Sequence, residues 1–222
     1  MIRVRDLQFA YGTGGFGLAV PSFDVAAGQK VAVVGPSGSG KTTLLNLMSG
    51  ILSPDSGEIS VAGTTISSLS DRDRRAFRIR TIGFVFQDFG LTEYLSARDN
   101  ILHPYRITDA LRLDAATRER AEFLAQSVGI ADRLDSFPRT LSQGEKQRVA
   151  ICRALIAEPS VILADEATGN LDPDTKEVIL DVLFEQATLA QAAVVAVTHD
   201  HELLPKFGQV VDFRQFRRGG GA

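Results

Sequence analysis

One eight-residue string restricts this chain more than any other: Gly35-Pro36-Ser37-Gly38-Ser39-Gly40-Lys41-Thr42. Before it stands Lys30-Val-Ala-Val-Val34, an apolar, β-branched run stopped by glycine, which predicts a short buried strand. After it, Thr43-Leu-Leu-Asn-Leu-Met48 opens a helical apolar pattern. Strand, glycine loop and helix in that order are the context of a phosphate-binding loop. Glycines at 35, 38 and 40 let backbone N–H groups turn inward around an anion. The helix N-terminus adds partial positive charge. Lys41 can then reach the outer phosphates of a nucleotide, the Thr42 hydroxyl can ligate Mg²⁺, and Thr43 brings a second hydroxyl close by.

Three further apolar runs end in polar groups. Ser160-Val-Ile-Leu-Ala-Asp165-Glu166 predicts a strand in the middle of a parallel sheet, closing on two carboxylates. In such sheets ligands bind at the C-terminal strand ends. There Asp165 would hold Mg²⁺ through water, and Glu166 would polarise the water that attacks the γ-phosphate. Ala192 to Val197 ends in Thr198-His199, where a histidine can donate to the γ-phosphate. Ile82 to Phe86 ends in Gln87, whose neutral amide can ligate Mg²⁺ or orient the water. Any of these residues alone has an ordinary structural explanation; their shared place at the ends of strands feeding one sheet edge favours chemistry.

With these motifs in order, the chain resembles the nucleotide-binding subunit of ATP-binding cassette (ABC) transporters along nearly its whole length. The matching strings are Gly35–Thr42, Gln87, the signature Leu141-Ser142-Gln143-Gly144-Glu145-Lys-Gln-Arg148, Ile162-Leu-Ala-Asp165-Glu166, the dimer loop Gly169-Asn-Leu-Asp172, and His199. Tyr11 matches the aromatic that stacks on adenine. Leu163 to Asp172 and Ile82 to Gln87 are similar to the lipoprotein-release/macrolide-exporter (LolD/MacB-like) branch.

The resemblance implies an α/β fold: a P-loop NTPase (RecA-like) parallel-sheet core, an N-terminal antiparallel β-subdomain and a helical signature subdomain. It implies one ABC ATPase domain over 1–222, with 1–90 and 157–222 as core and 91–156 as the helical arm. It implies a homodimer closed across two ATP. Each ATP would lie between Gly35–Thr43 of one copy and Ser142, Gln143 and Gly144 of the other, with Asp172 crossing the interface. It also implies an integral-membrane permease partner with a large extracytoplasmic domain. The chain would then sit on the cytoplasmic face of the inner (plasma) membrane of a bacterium and touch the membrane only through that partner. Two positions depart from the family pattern: Gln143 stands where glycine is usual, and Ala167 where proline follows the glutamate. Neither removes a phosphate-contacting or catalytic group.

Length, charge and composition narrow the alternatives. A 222-residue chain with 44% apolar residues can bury one sizeable core, and a net charge of −3 gives no electrostatic case for direct nucleic-acid binding. The basic run Leu69–Arg80 carries interleaved Asp71 and Asp73, which predicts a solvated helix face. Apolar runs stop at about half a dozen residues, against the ~20 of a membrane span. Met1 to Asp6 alternates as a strand, not a signal peptide. A single cysteine, Cys152, can form neither a disulfide framework nor a zinc site by itself.

Residues 1–30 and 57–66 predict an antiparallel sheet with Tyr11 at its edge, Ala110–Val128 a helix, and 173–190 another. His103 is expected to cap a loop and His201 to face solvent. Tyr94 and Leu95 are either core or, if exposed, a docking site. Phe213–Ala222 is expected to be a short tail with a disordered end, followed by no accessory domain. A soluble relative acting on DNA or ribosomes would carry a coiled-coil insert, zinc cysteines or tandem cassettes, none of which is present. An ATP-dependent regulator of a membrane partner that controls an extracytoplasmic activity without transport would keep the same site and stays open.

Overall fold

A computed structural model describes residues 1–12, 16–169, 171 and 173–216. Nine strands are described: β1 (Ile2–Ala10), β2 (Gly17–Val25), β3 (Lys30–Val34), β4 (Ser56–Val61), β5 (Thr64–Thr65), β6 (Ile82–Val85), β7 (Val161–Asp165), β8 (Ala193–Val197) and β9 (Gln209–Asp212). The helices are α1 (Lys41–Met48), α2 (Asp71–Thr81), α3 (Ala97–Ile101), α4 (His103–Arg106), α5 (Ala115–Ser127), α6 (Gln143–Leu155) and α7 (Pro173–Leu189).

The strands form two sheets. An antiparallel sheet runs β2-β1-β4-β5, and a parallel sheet runs β6-β7-β8-β3-β9. The parallel strands are apolar at nearly every position because both of their faces are covered. Val31, Val33, Val161, Leu163, Val195 and Val197 face a core shared with α1 and the antiparallel sheet. Their neighbours Ala32, Ile162, Ala164, Val194 and Ala196 face a second core, shared with α3, α5, α6 and α7. Segment 91–156 therefore has no separate core: Leu124, Val149, Ile151 and Cys152 continue the one on that sheet face. Cys152, wholly buried, has its thiol pushed up to about 12 by desolvation.

In β1 the inward side chains are Ile2 and Val4, then Leu7 and Phe9, so the two-residue period slips by one. A bulge absorbs the slip. Pairing with β4 shifts between Arg5 and Gln8, and Asp6 takes φ +47°. Gly57 passes so close opposite that an added Cβ would lie 2.4 Å from the Asp6 carbonyl oxygen.

Three sequence expectations change. α5 starts at Ala115, not Ala110, because Asp114 caps it by accepting from the Thr117 N–H at 2.9 Å. His103 begins a short helix rather than capping a loop, with Pro104 in the first turn where no N–H is needed. Gln209–Asp212 forms β9, an edge strand beside β3 that the sequence reading left unassigned, and Phe213 is buried. The charged run 69–80 forms α2, capped by the Ser70 side chain, and buries none of its residues fully. His201 is exposed, as is Tyr94 at 81%. Residues 217–222, the rest of the expected tail, lie outside the described residues.

Candidate active site

Parallel pairing aligns the strand ends. Val33 of β3 and Asp165 of β7 both pair with Val197 of β8, and Val85 of β6 pairs with Ala164. The loops that follow must therefore leave one edge of the sheet side by side, at the point where β3 lies between β8 and β9 and the chain winds in both directions.

The loop after β3 turns through Gly38 (φ +71°) and Gly40 (φ +104°) into α1. Gly40 is the N-cap and offers no side-chain acceptor, so the first-turn N–H groups of α1 keep their capacity for an anion. Pro36, Ser37 and Gly38 are exposed, while the Ser39 hydroxyl is buried without a hydrogen-bond partner among the described residues. Lys41 is 6% exposed; its ammonium donates to the Gly35 and Pro36 carbonyls at 2.8 Å each. Burial pushes its pKa down, opposed by the Glu166 and Asp165 carboxylates.

Asp165 is buried at the end of β7 and lines one recess with Thr42. Desolvation is the largest influence on it and raises its pKa; Thr42 opposes that rise. Its Oδ1 has no hydrogen-bond partner among the described residues. A buried carboxylate oxygen with no donor, beside a threonine hydroxyl and an exposed edge, fits a hard divalent cation such as Mg²⁺, which takes oxygen ligands and keeps several waters. Gln87 lines the same recess as Thr42 and Asp165.

Glu166 departs from the strand with φ +50°, a left-handed conformation uncommon outside glycine. Its N–H still donates to Val197 O at 3.0 Å, and its carbonyl accepts from Gly169 at 3.0 Å. The side chain lies between two others. Gln87 Nε2 donates to Oε2 at 3.1 Å, and His199 Nε2 lies 2.9 Å from Oε1. Ala167, buried next to it, imposes none of the restriction that proline places on the residue before it.

One cavity of about 490 Å³ is lined by residues from all these elements, among them Gly38, Gly40, Lys41, Thr42, Thr43, Gln87, Glu166 and His199. Tyr11 lines it too, half-exposed, with its ring edge-to-face on Phe9 at 4.8 Å and its hydroxyl 3.4 Å from Thr43 Oγ1. Sequence reasoning missed Phe16. It lines the same cavity and lies against Gly40, where an added Cβ would meet the ring at 2.5 Å. A lone aromatic before β2 carries no signal of its own in the sequence.

The signature residues are placed elsewhere. Ser142 caps α6 in a reciprocal capping box, its Oγ accepting from the Glu145 N–H and its own N–H donating to Glu145 Oε2 at 2.8 Å. Gln143 is exposed and Gly144 half-buried against Leu171. None of the three lines the cavity beside the phosphate loop. Asp172 and Asn170 lie outside the described residues.

Comparison with known proteins decides the family. The family model described as "ABC transporter" matches residues 18–169. The chain belongs to the ABC transporter family. A lipoprotein-releasing system ATP-binding protein LolD of Rhodopirellula baltica is 40% identical over 99% of this chain and 97% of its own. The LolD of Maricaulis maris is 43% identical over 86% of this chain and 83% of its own. The macrolide export ATP-binding/permease protein MacB of Rhodopirellula baltica is 42% identical over 95% of this chain, which spans 31% of that longer protein. Among solved structures, the ATP-binding cassette MJ0796 in a dimeric post-hydrolysis state bound to ADP and Pi superposes with a TM-score of 0.87 at 29% identity, covering both chains completely. The fold is thus that of ABC ATPase cassettes, and the chain is an ABC ATPase.

Proposed function

We propose that this ABC ATPase closes as a head-to-tail homodimer around two ATP and energises an integral-membrane permease of the lipoprotein-release or macrolide-export type. The observation that carries the chemistry is the Glu166 carboxylate, held between Gln87 and His199 at the strand end beside the phosphate loop. Backbone N–H groups of 35–43 bind the phosphates, and Lys41 exchanges its two carbonyl partners for phosphate oxygens. Glu166 accepts the proton of the attacking water, which Gln87 orients, while His199 donates to the γ-phosphate. Thr42, Asp165 and Gln87 would hold Mg²⁺, which would supply neutralisation of the charge on the phosphates. Tyr11 stacks on the adenine.

Ser142 and Gly144 complete the partner copy's site, with Gln143 at the interface and Asp172 crossing it. That Ser142 and Gly144 are not among the residues lining this chain's own cavity supports that reading, as do the dimeric cassettes to which the chain is similar. ATP then stabilises only the closed pair, which is how its free energy reaches a partner. No helix among the described residues is long and apolar enough to cross a membrane. A docking site for the permease is supported by a groove of about 730 Å³ floored by Phe84 and Phe86, rimmed by Arg72 and Arg75, and flanked by exposed Ile51 and Ile107. Tyr94 stands on a loop whose carbonyls at 92, 95 and 96 accept from the buried Asn100 amide. The permease would carry the large extracytoplasmic domain, and the chain would work from the cytoplasmic face.

The test is a Glu166→Gln variant assayed for turnover and mass. It is expected to bind Mg-ATP, to form a long-lived dimer, and to lose at least 100-fold in kcat, as the removal of a general base does (~10²–10⁴). Turnover at the parent rate would exclude Glu166 as the base. Co-purification of the tagged chain with an integral-membrane subunit tests the partner.

A further inference from the structure

We infer that Arg153 is a positioning residue through which the signature end of α6 governs the glutamine beside Glu166; this rests on the ATPase reading above. The guanidinium leaves the last turn of α6 and donates from Nη2 to the Phe89 carbonyl at 2.6 Å and from Nη1 to the Gly90 carbonyl. Both acceptors belong to the tight turn over 87–90, which Gln87 itself opens and which the Phe89 N–H closes on the Phe86 carbonyl at 3.2 Å. Phe89 (φ +64°) and Gly90 (φ +56°) are both left-handed, and Phe89 is not a residue that adopts that conformation unless its surroundings hold it. The two-pronged clasp supplies the hold. Arg153 keeps its charge at neutral pH although desolvation pushes its pKa down to about 10, with Asp88 opposing.

The rest of α6 makes this clasp a connection rather than a local tie. Next to Arg153, the Ala154 carbonyl lies so near β6 that a Cβ on Gly83 would fall 2.3 Å from it. The C-terminal end of α6 is therefore seated on β6, the strand that leads into Gln87. At its other end, about 17 Å away at 1.5 Å per residue, Ser142 caps the helix that faces the partner's nucleotide. One capped helix thus has the signature at one end and a grip on the glutamine loop at the other. Gln87 in turn donates to Glu166. A load placed on Ser142–Gly144 by nucleotide in the opposite site passes along α6 to Arg153, to the Phe89–Gly90 turn, and to the Gln87–Glu166 pair of this subunit. The two sites of the dimer are linked through each subunit's own α6.

The test compares the parent with Arg153→Met, which keeps the stem and loses both prongs, and Arg153→Lys, which keeps a point charge. The expected result is a tenfold or greater fall in kcat for Arg153→Met, a Hill coefficient for ATP moving from the parent value towards 1, and an ATP Kd of the separate chains within twofold of the parent. Arg153→Lys should recover part of kcat. In a Glu166→Gln background, Mg-ATP should slow amide exchange over 87–91, and adding Arg153→Met should abolish that slowing while the dimer still forms by light scattering. Parent kcat and parent cooperativity in Arg153→Met would overturn the inference. So would a loss of kcat matched by an equal loss of ATP affinity, the mark of a merely structural role. If Arg153→Met does not fold, Arg153→Gln is read by the same criteria. The parent's own turnover, measured alongside, tests the ATPase reading separately.

Discussion

Glu166 holds its side chain at the sheet edge by accepting a left-handed backbone, which costs a residue with a Cβ roughly 1–2 kcal/mol relative to glycine. Strain at a functional carboxylate implies that stability is given up for geometry. Glu166→Gly should therefore unfold at a higher temperature than Glu166→Ala, by about 1 kcal/mol or ~2–4 °C for a chain of this size, although both lose turnover. Thermal denaturation of the two variants side by side checks this. Asp165 carries a similar cost, since it is buried with an unpartnered oxygen and its ionised form is disfavoured by desolvation. Asp165→Asn is expected to raise the stability of the nucleotide-free protein by about 1 kcal/mol and to weaken Mg-ATP-dependent hydrolysis severely. A stability loss in that variant would mean that the carboxylate is better satisfied than its contacts indicate. At Lys41, loss of the ammonium in Lys41→Ala should weaken ATP binding at least tenfold by calorimetry; an unchanged affinity would remove Lys41 from the phosphate site.

Among the elements, the four strands that carry the site were legible because one apolar run stops at the glycine loop and three stop at a polar residue, and parallel pairing leaves those stops no choice but to gather. What was not legible had weak local signals or depended on distant partners. β9 has four residues, with Gln209 and Val210 exposed, so Gln-Val-Val-Asp shows neither alternation nor a full apolar run. Ala110 to Leu113 has helix-forming composition, yet the Ala110 carbonyl accepts from Arg80 Nε at 3.1 Å and the helix waits for its cap at Asp114. Phe16 and Arg153 act through contacts with Gly40 and the Phe89–Gly90 turn, which no spacing rule announces. The bulge at Asp6 was readable in hindsight from the phase slip in β1. It sets a sharp expectation: Gly57→Ala puts a methyl into the Asp6 carbonyl at a position with φ +88°, and should destabilise the fold by about 2–3 kcal/mol in a denaturant titration.

For the whole molecule, the cavity takes its lining from Tyr11 just past β1, Phe16 before β2, the loop after β3, the start of α1 and the segments at the ends of β6, β7 and β8, but not from α6. A hydrolysis-deficient Glu166→Gln chain should double its mass on light scattering at saturating Mg-ATP and return to monomer when the metal is chelated. Failure to double would separate nucleotide binding from pairing. The buried cysteine gives a way to watch that event. With desolvation pushing the thiol up to about 12, Cys152 stays protonated at neutral pH, and the packed core blocks reagents from it. Folded protein should consume almost no disulfide reagent and denatured protein one equivalent, so the native chain is spectroscopically blank to thiol chemistry. A fluorophore attached through Gln143→Cys would then label one exposed position alone, and its emission would report, molecule by molecule, how long two copies stay in each other's grasp.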